Sequence, residues 1–368
     1  MTKTVAIDAR WLVGGIGAYT EKLLLGLGKS TNGVEFHAIA RRADAARVKE
    51  LCSRVTVVDV PIYTAMEQVL IPRAARQCDL LHVPHFNIPL LYGRPLMVSI
   101  MDVIHLRFPK YRNSLKSFLY GRPMLQAAAR RADHIVTVSN YSKTQIMETL
   151  GAPESKISVI HCGVGAQFHR YTAHQGSRSA AEILGIHRPY LLYVGNLKLH
   201  KNVVTLLRAF AHLRNDGKIP HSLLIVGDDA RWKHSIVEEC ARLGIRDSTV
   251  IVPYVVPELL PKIYAGADLL VMPSTIEGFG LPVLEAMACG TPVLSSNAAS
   301  LPEVAGDAAL YFDPASHEEL ALQVLRILQS SDLRESLRDL GLQRVEKFSW
   351  QESNRKHMEI YSQLLGLN

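Results

Sequence analysis

Long apolar runs are missing from this chain of 368 residues: none reaches about 18 residues, the length a membrane-spanning helix requires. The start, MTKTVAIDARWL, also lacks a basic segment followed by an apolar stretch, so no signal peptide is expected. Cysteine is scarce and unpaired in spacing. Cys52, Cys78, Cys162, Cys240 and Cys289 are odd in number and scattered, which argues against a disulfide or zinc framework and for a reducing cytosol. No acidic cage for a metal, no solenoid repeat and no low-complexity tract is visible. Strong charge is lacking as well. A formal net charge of +7 is compatible with phosphorylated ligands, an anionic membrane surface or an ordinary solvated exterior, and no nucleic-acid partner is expected from it.

What the chain does have is a regular alternation of short apolar runs and amphipathic segments. TVAID, VEFHAIA, VTVVDV, LLHVP, LMVSI, HIVTVS and ISVIHC fill the first half; YLLYVG, SLLIVG, STVIVP, DLLVMP, TPVLSS and ALYFD fill the second. Continuous apolar strands separated by helices imply parallel sheets covered on both faces. The expected fold is therefore α/β, with two Rossmann-like doubly wound domains facing a cleft. We place the first domain at 1–170, a polar linker at 171–188, the second domain at 189–348, and a terminal helix at 349–368 that returns to the first domain. Ser316 with Glu319 and Ser349 with Glu352 each spell a capping box.

Within the second half, PSTIEGFGLPVLEAMACGTPV sets two carboxylates into an apolar context, where they seldom stand without a partner. Glu277 falls in the loop at the carboxyl end of the strand DLLVMP, and Glu285 in the helix that Pro282 opens and Gly290 can stop. Ligands of open α/β sheets bind at such strand ends, facing free helix N–H groups. Gly278 and Gly280 permit close backbone approach. Both glutamates can thus accept hydrogen bonds from ligand hydroxyls; the structural alternative is a helix-dipole partner and a solvated loop residue.

EGFGLPVLE, continued by AMACGTPVLSSNAASLPEVAGDAALYFDP, resembles the signature of retaining GT-B glycosyltransferases, the class called glycosyl transferases group 1. The resemblance covers both halves and is strongest from Tyr190 to Pro314. It implies that Glu277 contacts the donor sugar and Glu285 the nucleotide ribose, with the backbone of Gly278, Phe279, Gly280 and Leu281 near the sugar and diphosphate. In NLKLHKN the family's lysine position is Lys201, the expected phosphate ligand, while Asn196 stands where the family carries arginine. Lys198 or a first-domain residue is a substitute cation, or Lys198 is a plain surface lysine. Tyr254 and Val255 fall where the family holds the nucleobase, although Pro253 and a shortened loop depart from its pattern.

In the first half, DARWLVGGIGAYTEKLL puts Gly14, Gly15 and Gly17 between strand and helix, where they serve a donor phosphate, an acceptor, or only a turn. The family's histidine position is Met101, followed by Asp102, so His85, Asp102 and His105 are candidate replacements. The catalytic candidates are then Glu277, Lys201, Asp102, His105 and His85.

The implied activity is metal-independent, anomer-retaining transfer of a hexose from a nucleoside-diphosphate sugar, with no cofactor beyond that co-substrate. GDP-mannose is preferred over a UDP-hexose, and the acceptor is a saccharide or lipid-linked saccharide of surface-polysaccharide synthesis. The expected location is cytoplasmic, with a peripheral membrane contact through RFPKYRNSLKSFLYGRP from Arg107 to Pro123. A nucleotide-sugar 2-epimerase and a lapsed sugar-nucleotide-binding protein are the alternatives.

Overall fold

The computed structural model describes residues 2–28, 33–108, 115–170, 184–186 and 189–367, with the side chains of 115–119 excepted. It divides into two units, Met1–Gly163 with Ser349–Asn368, and Val164–Phe348. The division falls ahead of the polar segment 171–188, of which residues 171–183 and 187–188 lie outside the described residues. Residues just after 163 belong to the second unit because they pack there: the Phe168 ring sits edge-on to Tyr264 at 5.9 Å.

Unit 1 carries a seven-stranded sheet of order β3-β2-β1-β4-β5-β6-β7. Its strands are β1 (Lys3–Asp8), β2 (Val34–Ala40), β3 (Arg54–Val57), β4 (Leu80–Val83), β5 (Leu96–Ser99), β6 (His134–Thr137) and β7 (Ile157–Val159). Unit 2 carries a six-stranded sheet of order β10-β9-β8-β11-β12-β13. These strands are β8 (Tyr190–Val194), β9 (Ser222–Val226), β10 (Thr249–Val252), β11 (Leu269–Met272), β12 (Val293–Ser296) and β13 (Leu310–Phe312). Every pairing is parallel, with registers such as Val5↔Leu80 and Leu270↔Leu192, so each apolar run of the sequence becomes a strand, as expected. One core gathers Ala6, Ile39, Leu81, Val98 and Ile135; the other gathers Leu191, Leu223, Leu269 and Leu294. The strand order reverses between β1 and β4 and again between β8 and β11, and each reversal opens a crevice at the strands' carboxyl ends.

The helix Trp350–Leu365 belongs to unit 1. Ser349 caps it by accepting from the Glu352 N–H, but the Glu352 carboxylate turns to Arg355, so only half of the capping box forms. Likewise Ser316 accepts from the Glu319 N–H while the Glu319 side chain accepts from the Asp313 N–H.

Inside unit 1 this helix is held by a buried polar chain with one consistent direction. His357 Nδ1 faces the Ser353 carbonyl at 2.7 Å and must donate, which leaves Nε2 to accept from the Tyr19 hydroxyl at 2.7 Å. The Tyr19 oxygen then accepts from Ser99 at 3.0 Å, Ser99 accepts from His82 Nε2 at 2.8 Å, and His82 Nδ1 accepts from the Tyr361 hydroxyl at 2.7 Å. Both imidazoles are neutral in this arrangement. Burial holds His357 down at about 4 and His82 well below its ordinary range.

The chain leaves and re-enters unit 1 along neighbouring paths. Just inside unit 2 the Val164 N–H donates to the Phe348 carbonyl at 3.1 Å, and in unit 1 a Cβ on Gly163 would lie 2.1 Å from the Trp350 nitrogen. Among the described residues no helix is long and apolar enough to cross a membrane, and all five cysteines are free and buried.

Candidate functional site

At the β8/β11 crevice the loop after β8 folds into a single tight turn, Leu199–Lys201, which places Lys201 beside the loop after β11. Asn202 sustains this turn in the left-handed region at φ 57. Its amide donates to the Pro273 and Pro314 carbonyls at 2.9 and 2.8 Å, and the Thr275 N–H donates to the His200 carbonyl at 2.8 Å. The two loops are thereby zipped together. Lys201 Nζ meets both oxygens of Glu277, at 2.7 and 2.8 Å, and Ser274 Oγ donates to Glu277 Oε1 at 2.7 Å. Glu277 is 7% exposed, so neither a solvated loop residue nor an unpaired buried charge describes it.

The turn that follows is rigid. Ser300 Oγ donates to the Glu277 and Phe279 carbonyls at 3.0 and 2.8 Å. Gly280 sits at φ 115, where a Cβ would press on Leu301 at 2.8 Å. Leu281 then starts the helix Leu281–Ala288 with Pro282 in its first turn, and Gly290 stands just past its end at φ 76. The Phe279 ring is buried edge-on against Phe348, so a ligand would meet the backbone of this residue and not its ring.

Glu285 accepts from the buried Tyr264 hydroxyl at 2.7 Å. Burial raises its carboxyl to about 7, against the pull of that hydrogen bond. Between its ordinary 4.5 and about 7 the folded chain therefore keeps a proton that the unfolded chain has released. Stability falls as pH rises through that window and is level above it. We expect a loss on the order of 3 kcal/mol between pH 5 and 8 from this group. Chemical denaturation at the two pH values should show the decline flattened in Glu285→Gln.

The remaining candidates fall differently. Asn196 spends its side-chain oxygen on the Lys198 N–H at 3.2 Å, and its carbonyl accepts from Tyr193 at 2.6 Å, so it acts locally where the resemblance offered a phosphate ligand. Lys198 is half-buried; Tyr254 is 70% exposed and Val255 is buried. A Cβ on Gly15 would meet no atom within 4 Å, whereas one on Gly17 would lie 2.2 Å from the Leu12 carbonyl carbon, which gives Gly17 a packing reason of its own. Asp102 closes a short turn by accepting from the Ile104 N–H at 3.0 Å, and His105 lies by the Phe86 ring at 5.9 Å. His85 stacks on Trp11 at 5.1 Å. Of the cations from Arg107 to Pro123, Arg107 pairs with Glu148, while Lys110, Arg112 and the Lys116 side chain lie outside the described residues.

Sequence reasoning missed the groups that hold the site: Ser274, Ser300 and Tyr264. Each is an ordinary residue whose partner is up to 23 positions away. It also missed a second constellation in unit 1 at β1/β4, where Arg10 joins Asp8, Glu67 and Asn87; the signal was DAR at the end of the first strand. Among the described residues no cluster of three or more His, Cys, Asp or Glu is placed to hold a metal ion.

Known proteins share both halves of this arrangement. Residues 180–344 match glycosyl transferases group 1, and residues 13–168 match glycosyltransferase family 4. O-antigen chain mannosyltransferase B of Escherichia coli is 30% identical over 291 residues, 77% of this chain and 74% of that protein. O-antigen chain mannosyltransferase RfbU of Salmonella typhimurium is 28% identical over 248 residues, 67% of this chain and 64% of its own. Among solved structures, Anabaena Alr3699/HepE in complex with UDP-glucose superposes with a TM-score of 0.80 at 18% identity, covering 98% of this chain and 99% of that one. Sucrose-phosphate synthase from Thermosynechococcus elongatus does so with 0.79 at 21%, covering both chains fully. With its two parallel sheets, its paired Lys201 and Glu277, and this kinship across three quarters of its length, the chain belongs to the glycosyl transferases group 1 family and is a glycosyltransferase of GT-B fold.

Proposed function

We propose that this glycosyltransferase moves a hexose, with mannose preferred, from a nucleoside-diphosphate sugar to a saccharide or lipid-linked saccharide, with retention at the anomeric carbon and without a metal. The observation that carries the reading is the Lys201–Glu277–Ser274 cluster beside the start of the helix Leu281–Ala288. A donor brings two needs to such a place. Its diphosphate needs positive charge, which Lys201 and the helix N-terminus offer, and its sugar hydroxyls need acceptors, which Glu277 offers. The mannosyltransferase relatives support the choice of sugar.

In this reading Lys201 stabilises the charge that develops on the departing diphosphate, and most of the rate comes from positioning and electrostatics. The acceptor hydroxyl attacks on the face the diphosphate leaves and gives its proton to a phosphate oxygen. Glu285, proton-bearing near neutrality, exchanges its Tyr264 hydrogen bond or its proton for the ribose hydroxyls when nucleotide binds.

A thermal-shift comparison of GDP, UDP and ADP with the bare nucleosides tests the site first, since a selective ligand stabilises the fold by mass action. GDP is expected to raise the melting temperature most and guanosine far less. Transfer from GDP-mannose in the presence of EDTA, followed by NMR of the product's anomeric proton, tests the chemistry. A requirement for added divalent cation, an inverted product, or isomerisation of the donor without an acceptor would each overturn part of it.

A further inference from the structure

The β1/β4 crevice of unit 1 carries a constellation to which the donor reading gives no task. Arg10, 4% exposed, is gripped by Asp8 at 2.8 and 2.7 Å and by Glu67 at 3.2 Å, yet its Nη1 is buried and finds no hydrogen-bond partner among the described residues. Glu67 in turn accepts from Asn87 at 2.6 Å and from the Thr64 N–H at 3.1 Å, and Asn87 accepts from the Tyr120 hydroxyl at 2.5 Å. Asp8, Arg10 and Asn87, together with Trp11, Val83 and His85, line one shallow pocket.

Its walls are aromatic. His85 stacks on Trp11 at 9° to its plane, and the half-exposed Tyr63 packs edge-on to Tyr120 at 5.3 Å. The Asn87 N–H donates to His85 Nδ1 at 3.2 Å, so the ring's proton sits on Nε2, facing the Tyr63 hydroxyl at 3.2 Å, and the imidazole is neutral. Planar polar groups fixed by one another, an unsatisfied guanidinium N–H and an aromatic wall suit the edge of a sugar ring, whose hydroxyls both donate and accept.

Charge narrows the ligand further. Two carboxylates flank one guanidinium and the imidazole adds no charge, so the pocket carries a net negative charge before any ligand arrives. A phosphate or carboxylate placed there would be repelled, because charges about 4 Å apart near a protein surface interact by roughly 4 kcal/mol.

We propose that this pocket is the subsite for an uncharged saccharide, with Arg10 Nη1 donating to a ring hydroxyl and Trp11 forming the wall, and that it rejects phosphorylated sugars. The inference rests on the reading of the chain as a transferase acting on a saccharide acceptor, and it names that acceptor's chemical class.

Saturation-transfer NMR without nucleotide tests it, using the neutral methyl glycosides of mannose, glucose and galactose and the 6-phosphate of each. At least one neutral glycoside should bind, and its 6-phosphate should bind more than about tenfold more weakly at pH 7 and low salt. Trp11→Ala should weaken the neutral ligand by about two- to tenfold with the melting temperature unmoved. Glu67→Gln should narrow the gap between neutral and phosphorylated forms. Equal or tighter binding of the phosphates, or no signal from any neutral glycoside, overturns the proposal. The neutral-against-phosphate comparison needs no variant, so it stands even where a substitution fails to fold. Because no donor is present, binding here and turnover with GDP-mannose succeed or fail separately.

Discussion

Lys201→Ala is expected to lower turnover of the donor by about 10²- to 10³-fold, the usual consequence of removing one preorganised donor from a transition-state charge. It should weaken nucleoside diphosphate by on the order of 1.5 to 3 kcal/mol while leaving the bare nucleoside nearly unaffected. The structure adds a consequence that the sequence did not suggest. With Lys201 gone, Glu277 is a buried carboxylate supported by Ser274 and little else, so the variant should also lose roughly 3 kcal/mol of stability. The double variant Lys201→Met, Glu277→Gln separates the two effects, since it removes both charges: stability should return and turnover should not. Activity surviving in the single variant, or a loss explained wholly by unfolding, would sink the assignment of Lys201 to the phosphates.

The second large effect is expected from deleting residues 349–368. The deletion removes Tyr361, His357 and Ser353, and leaves His82, Ser99 and Tyr19 with unpaired polar atoms in a buried setting. Each such atom costs about 1 to 3 kcal/mol, and the Phe36 ring loses its neighbour Tyr361 as well. Together these approach the whole stability of a typical domain. Unit 1 should therefore unfold or aggregate, while unit 2, whose core contains none of these residues, keeps its nucleotide-dependent melting transition. Hydrogen exchange that leaves β1, β4 and β5 protected after the deletion would show that the helix is only a cover.

The fold was readable from the sequence because a parallel strand buried on both faces has no choice but to be a continuous apolar run. DLLVMP and YLLYVG say as much about their environment as about their conformation. The glutamates were readable for a related reason: a carboxylate among apolar residues announces a partner. Which partner it has was not readable. Lys201 and Glu277 lie 76 positions apart, and Arg10 and Glu67 lie 57 apart, so only the sheet order brings them together. The terminal helix showed its apolar face in Trp350, Ile360 and Tyr361, but the polar chain beneath it was hidden, because His357 and Ser353 look like solvent-facing residues until Tyr19 and His82 are seen opposite. The polar segment 171–188 seemed the natural place to divide the chain, yet the division falls where packing changes, at Gly163, without any marked shift in composition.

That division has a consequence for synthesis. Unit 1 is discontinuous: its sheet emerges first from the ribosome, but the helix that completes it is translated only after all of Val164–Phe348. At about 5 to 20 residues per second, on the order of 10 to 40 s pass in which Tyr19, His82 and Ser99 have no partner from that helix. Nascent unit 1 is thus a client for chaperones throughout that interval, and rare codons that slow translation of unit 2 would prolong the exposure of a surface that unit 2 itself never covers.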